Sequence, residues 1–232
     1  MRRRRLLVSV GQVVAFVALV LFGLGWAAKR VPAFYTESEL PDDAATRSKS
    51  VEAIGGYFQM RDAIVESNNP RWELAFTAEQ LNAYFQHDFV VNHGGDANLP
   101  EGFSAPRVQI EDGRMRIGVQ YGQGYWTTVL SIQLKVWLVP GKANVLAMEI
   151  ESLKAGALPL SPATLLDKIS EVARRQNIDV TWFRENGHPV AIMRFQADLT
   201  RPTLVFEQID LANGKLTVQG RSADPFGAQR KN

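Results

Sequence analysis

The residues best able to do chemistry are the three histidines, and their spacing argues against the commonest uses of histidine. His87, His93 and His188 are the only imidazoles in the chain. A zinc-binding helix sets two histidines four residues apart around a glutamate so that both rings face one ion, and none of the three has such a neighbour. His87 falls at the end of a predicted helix, His93 in a loop and His188 in a turn. The chain has no cysteine, which excludes disulfides, thiolate metal sites, a cysteine nucleophile and a lipidated cysteine anchor. No Gly-x-Ser-x-Gly elbow presents a serine. Gly122-Gln123-Gly124 lacks the third glycine, flanking helix and acidic partner of a dinucleotide loop, and reads as a hairpin turn.

The acidic pairs Asp42-Asp43 and Glu149/Glu151 have a spacing that acid–base work or a cation site would use. The first stands near a helix start, where carboxylates are favoured, and the second lies on the wet face of a strand. Arg107, Arg114 and Arg116 suit lipid headgroups or a solvated sheet face. Trp72, Tyr84, Phe85, Tyr121, Tyr125, Trp126 and Trp137 suit stacking on a ligand, although alternate strand positions mostly fill a core. The expectation is a protein that is not an enzyme and uses no metal and no cofactor.

Charge and hydropathy say more about location. The formal charge is +2, but Arg2 to Arg5 supply four positives, and without them 22 basic residues face 24 acidic ones. A nucleic-acid binder keeps a basic surplus on its folded part, so nucleic acid is not an expected partner. Leu6 to Ala28 is a run of 23 residues without a charge, closed by Lys29 and Arg30. About 20 apolar residues cross a bilayer as a helix, and the arginine cluster holds the N-terminus in the cytoplasm. The rest then lies in the periplasm or outside the cell, on a single-pass anchor in the inner (cytoplasmic) membrane. Gly25 and Ala27 have the small-residue spacing of a signal-peptide cleavage site, but the apolar run exceeds the usual length, and a retained anchor is expected.

The organisation follows from these signals: residues 1–30 as arginine cluster and transmembrane anchor, 31–43 as a stalk with Pro32 and Pro41, 44–220 as one extracytoplasmic domain, and 221–232 as a polar tail. A helix is predicted over 44–66, with Val51, Ile54, Phe58 and Val65 at helical spacing. Trp72 to Phe76 reads as a strand, and Thr77 to Gln80 as a capping box opening a helix through Leu81, Tyr84 and Phe85. From Arg107 the period is two. A hairpin turns at Asp112-Gly113, and a strand candidate of fifteen residues, Tyr125 to Val139, would extend about 50 Å. Val145 to Ala155 is another strand, stopped by the corner Gly156 to Pro162, after which a helix carries Leu165, Ile169, Val172 and Ala173 on one side. Four more strands follow within 180–219. The fold class expected is α+β: a transmembrane helix, then one domain in which a long, curved antiparallel meander packs on helices.

Two resemblances add to this reading. Phe76, Thr77, Gln80, Leu81 and Asn82 at a helix start, and the corner Gly156, Leu158, Pro159, Leu160 with its helix, make the chain resemble the YpmS-like family of membrane-anchored bacterial proteins, largely of unknown function, over roughly residues 72 to 219. In topology alone it is similar to half of a tubular lipid-binding (TULIP) fold, which implies an acyl chain held between sheet and helix. A strand of about 50 Å and a covering helix of about 24 Å do not match in length, so either the other helices fill the difference or an apolar groove remains. The residues expected to line it are Trp126, Leu130, Ile132, Leu134, Val136, Leu165, Ile169 and Val172. The function expected is binding or transfer of a lipid or other apolar ligand. The alternative is an envelope scaffold or interaction module with a packed core and a protein partner.

Overall fold

A computed structural model describes residues 16–65, 71–89, 99, 101–175, 178–195 and 204–222. The arginine cluster at 2–5, the loop histidine His93, the side chain of Val172 and the tail from residue 223 lie outside the described residues. Helix α1 (residues 16–28) leaves Phe16, Leu19, Leu21, Phe22 and Trp26 exposed. Among the described residues, the stretch Phe16–Glu37 alone is long and apolar enough to cross a membrane by length and composition.

After a break at residues 29–32 come α2 (Ala33–Glu37) and α3 (Ala44–Val65). Asp43 starts α3 by accepting the Thr46 N–H at 2.8 Å, a hydrogen bond that holds its carboxyl below the usual carboxylate range. Strand β1 (Arg71–Thr77) runs into α4 (Ala78–Tyr84) through the expected capping box, Thr77 Oγ1 accepting from Gln80 N and Gln80 Oε1 from Thr77 N. A π-helical turn, Phe85–Phe89, carries the chain on.

The main sheet is built from β2 (Phe103–Glu111), β3 (Arg114–Tyr121), β4 (Thr128–Leu138), β5 (Val145–Ala155), β6 (Leu158–Pro159), β7 (Asp179–Glu185) and β8 (His188–Arg194), with α5 (Ala163–Arg175) between β6 and β7. Its order is β2-β3-β4-β5-β8-β7, with β6 folded back onto β5, and every pairing is antiparallel. The class is therefore α+β, with a large antiparallel sheet packed on helices.

Three departures from expectation matter for the site. First, β9 (Leu204–Ala212) and β10 (Lys215–Ser222) leave the meander and join β1 in a separate sheet of order β1-β10-β9. Trp72 of β1 lies flat over Gly220 of β10, where an added Cβ would come within 2.3 Å of the indole. Second, the fifteen-residue strand is shorter. Gly122, at φ 102°, and a 3-10 turn at Gly124–Trp126 precede β4, which has 11 residues and spans about 37 Å. The ladder between β4 and β5 skips at Gln133/Leu134, leaving Glu151 as the extra residue of β5. Third, residues 31–43 are not a free stalk, because Phe34 and Tyr35 are buried against Val129 of β4.

The two sheets close on one core. Val108 and Ile110 of β2 meet Leu211 of β9, with Leu81, Phe85, Ile117 and Val136 packed around them. Each seam is also held by one buried asparagine. Asn82 of α4 pairs with the backbone of β2, its Nδ2 donating to Val108 O at 2.8 Å and its Oδ1 accepting from Val108 N at 2.7 Å. Asn144, just before β5, does the same to β9 through Leu204 O and Phe206 N.

Candidate functional site

The foot of the domain forms where α1 meets the sheet. The last carbonyls of a helix lack partners within it and must find them elsewhere. Here Ala27 O accepts the Ala157 N–H at 2.8 Å, and Ala28 O accepts the Thr128 hydroxyl. Both donors flank Gly156, whose φ of 58° belongs to the left-handed region and whose missing side chain admits the helix end. A Cβ at Gly156 would stand 2.3 Å from Ala28 O. The Gly-x-Leu-Pro-Leu corner thus seats the end of the apolar helix.

Beyond that joint, Arg30 to Phe34 cross the outer face of β3, β4 and β5 and enter α2. Phe34 and Tyr35 fill the space above Gly118, where a Cβ would fall 2.6 Å from the Tyr35 ring. The Tyr35 hydroxyl donates to Ala105 O at 2.6 Å, while Arg107 stacks 4.4 Å from the ring and donates to Tyr35 O at 2.8 Å. Arg107 is therefore a clamp on this segment.

A charged network runs across the same face. Arg116 pairs with Glu111 at 2.9 Å and donates to Gln133 at 3.0 Å; Gln133 donates to Glu151 at 2.6 Å. Glu151 also receives Arg114 and Lys135, each at 2.8 Å, and Glu149 Oε1 pairs with His188 Nδ1 at 2.6 Å. Burial alone would push the Glu151 carboxyl up, but the hydrogen bonds from Arg114, Gln133 and Lys135 outweigh it and hold it at about 2. Because that lies below the ordinary 4.5, the group stabilises the fold above pH 4.5, and the contribution is lost as pH falls towards 2. Glu151→Gln is expected to flatten the acid limb of stability between pH 5 and 2.5 by about 1 to 2 kcal/mol, allowing for solvent screening. Urea unfolding at a series of pH values measures it; an unchanged acid limb overturns this role.

Among the described residues, those expected to line a groove have different surroundings. Leu134 is buried beside Ile150 and Met115, its partners in the ladder, and Val136 packs into the core shared with β9. The three-stranded sheet thus covers part of the face that the length argument left bare. Leu130 and Ile132 lie on the same face of β4, half-buried. Leu165 and Ile169 belong to α5, which packs chiefly on β7 and is pinned there by Trp182 Nε1 donating to Ser170 Oγ at 2.8 Å. Trp126 is 79 % exposed and sits at the foot, 5.4 Å from Lys29 Nζ.

Of the histidines, His188 pairs with Glu149 and His87 lies in the π-helical turn with Nε2 buried and unpartnered among the described residues. Among the described residues no group of three His, Asp or Glu side chains is placed to hold a metal ion. Sequence reasoning named Asn82 and Gly156 as motif positions but missed their roles as clamp and joint, and it missed Asn144 altogether. The signals were present as a polar residue inside an apolar helix start and an Asn at the Gly141-Lys142-Ala143-Asn144 turn. No family model matches the chain, and neither the curated proteins nor the solved structures contain a match.

Proposed function

We propose that the chain is a membrane-anchored extracytoplasmic domain that binds lipid at the end nearest its anchor. The observation that carries this reading is the joint between α1 and the sheet, in which Ala27 O and Ala28 O are held by Ala157 and Thr128. An exposed apolar helix calls for a hydrocarbon surrounding, and one whose end is hydrogen-bonded to the domain keeps that domain at a fixed height. At 1.5 Å per residue, Leu6 to Ala28 would extend about 35 Å against a hydrocarbon layer of about 30 Å. Residue 28 then falls at the edge of the headgroup layer. The exposed rings of Trp26 and Trp126 suit that depth, and the cations of Lys29 and Arg30 beside them suit lipid phosphates. Lipid contact belongs at this foot rather than between β4 and α5.

The test is reconstitution of the full chain into nanodiscs containing lipids brominated near the headgroup. Bromine is expected to quench a component of tryptophan fluorescence that disappears in Trp126→Phe. Equal quenching in both proteins, or a cytoplasmic signal from a C-terminal reporter fusion in cells, overturns the reading.

One observation favours the second reading, an interaction module. Between α3 and α4 lies an apolar cleft of about 350 Å³ lined by Ile54, Tyr57, Phe58, Leu81 and Tyr84, with Tyr57 and Phe58 exposed at its rim. A protein partner seated there would be lost on Phe58→Ser with the unfolding transition unchanged.

A further inference from the structure

We propose that the recess between the Arg30–Phe34 segment and the outer sheet face binds a phosphate-type oxyanion, presented by the headgroup of an anionic lipid. The recess holds about 480 Å³, within the range of about 300 to 1,000 Å³ usual for small-molecule sites. Its floor is set by the β4–β5 register, in which Ser131 stands opposite Lys154 and Gln133 opposite Ser152, with Arg116 of β3 beside Gln133. Arg30 closes the side next to the anchor. Three cations and two serines therefore line one space, and among the described residues no carboxylate lines it.

The three cations differ in what is left to them. Arg116 is committed to Glu111, Gln109 and Gln133, so it contributes field rather than a free donor. Arg30 and Lys154 have no acidic partner among the described residues; Arg30 rests 6.0 Å from the Trp26 ring. A surface cation of that kind is ordinary by itself. Two facing one recess with serine hydroxyls between them are the donor set that a phosphate oxyanion satisfies, by charge-assisted hydrogen bonds. Val31 and Pro32 supply an apolar side suited to a glycerol backbone rather than to a bare ion alone. Gly156 and Ala157, which hold the end of α1, line the same recess, so its mouth lies beside the anchor. The lipid source rests on the membrane reading above, whereas the affinity for an oxyanion does not.

The test uses the full chain in non-ionic detergent micelles, followed by calorimetry. One arm titrates a short-chain phosphatidylglycerol and the other inorganic phosphate. Saturable binding is expected, weakened by added salt and weakened at least tenfold in the double variant Arg30→Gln/Lys154→Gln. Ser152→Asp, which sets a carboxylate in the floor, is expected to abolish it. Arg194→Gln, which removes an exposed pair with Asp179 on a distant strand, is expected to leave it unchanged. Binding of the lipid with at least tenfold preference over phosphate identifies a headgroup, and equal affinities identify the free anion as a source of the same chemistry. No saturable binding in either arm, or full affinity in the double variant, overturns the proposal. A cytoplasmic signal from the C-terminal reporter would defeat the membrane orientation and leave the micelle result standing, so the two failures are distinguishable.

Discussion

Asn144→Ala is expected to lower the stability of the folded domain by about 3 to 4 kcal/mol, and Asn144→Gly by about 1 kcal/mol less. Asn144 is almost wholly buried, at 1 % exposure, and has two independent jobs. Its backbone adopts φ 56°, a conformation in which asparagine is tolerated and alanine is strained by roughly 1 kcal/mol. Its side chain donates to Leu204 O and accepts the Phe206 N–H at 2.9 Å, tying β9 to the start of β5. Alanine fails at both jobs and leaves two backbone groups of β9 without those partners, each costing about 1 to 3 kcal/mol where water does not replace them. Glycine relieves the strain and keeps the loss of hydrogen bonds, so the difference between the two variants isolates the backbone contribution. Urea unfolding of the full chain in micelles, followed by far-ultraviolet circular dichroism, gives both numbers. Losses below about 1 kcal/mol in both variants would show that the seam does not depend on this clamp.

What the sequence made legible was whatever is decided within a few residues. The capping box at Thr77 and Gln80, the hairpin turn at Asp112-Gly113 and the strand Val145–Ala155 emerged at their expected places, since each depends on neighbours along the chain. The small sheet did not, because its partners are far apart: Gln219 reaches Glu73 across 146 residues, and no local pattern says which strand pairs with which. That omission produced the groove argument. With the β9 strand placed in the meander rather than in a second sheet, α5 was the only helix clearly offered to the apolar face of β4, and the cover that β9 gives to Val136 was not counted.

The stalk reading failed for a related reason. Pro32, Pro41 and the acidic residues around them have the composition of a linker. The pair Phe34-Tyr35 within it is apolar, and its docking place is Gly118, a position marked only by the absence of a side chain. The recess was illegible for the same reason, since Arg30 and Lys154 are brought to one space only by the return of the chain across β4 and β5. The residues that carry the YpmS-like resemblance have structural roles here: Thr77 and Gln80 cap α4, Asn82 clamps β2, and Gly156 admits the end of α1.

The joint at Gly156 is open to a controlled experiment. Gly156→Ala is expected to cost about 3 kcal/mol and to unseat the end of α1, whereas Gly214→Ala is expected to cost about 1 kcal/mol and leave α1 seated. Both glycines have positive φ, 58° and 72°, so both substitutions carry the left-handed strain of an L-residue. They differ in surroundings. A Cβ at Gly214 meets nothing within 4 Å, while one at Gly156 stands 2.3 Å from Ala28 O and 2.6 Å from Ala27 O. Those are backbone oxygens, so no side-chain rotation relieves the contact, and the helix end or the corner must move. Either movement breaks the bond from Ala157 N–H to Ala27 O and releases the backbone at residues 29–31, where Arg30 and Val31 are already exposed. Trypsin cleavage after Lys29 and Arg30 in micelles reads this directly, with at least a tenfold faster cut expected in Gly156→Ala and the native rate in Gly214→Ala. Equal rates in the two variants would mean that α1 is tethered by its chain alone. In that case the fixed height of the domain, and with it the depth argument for lipid contact, would fall.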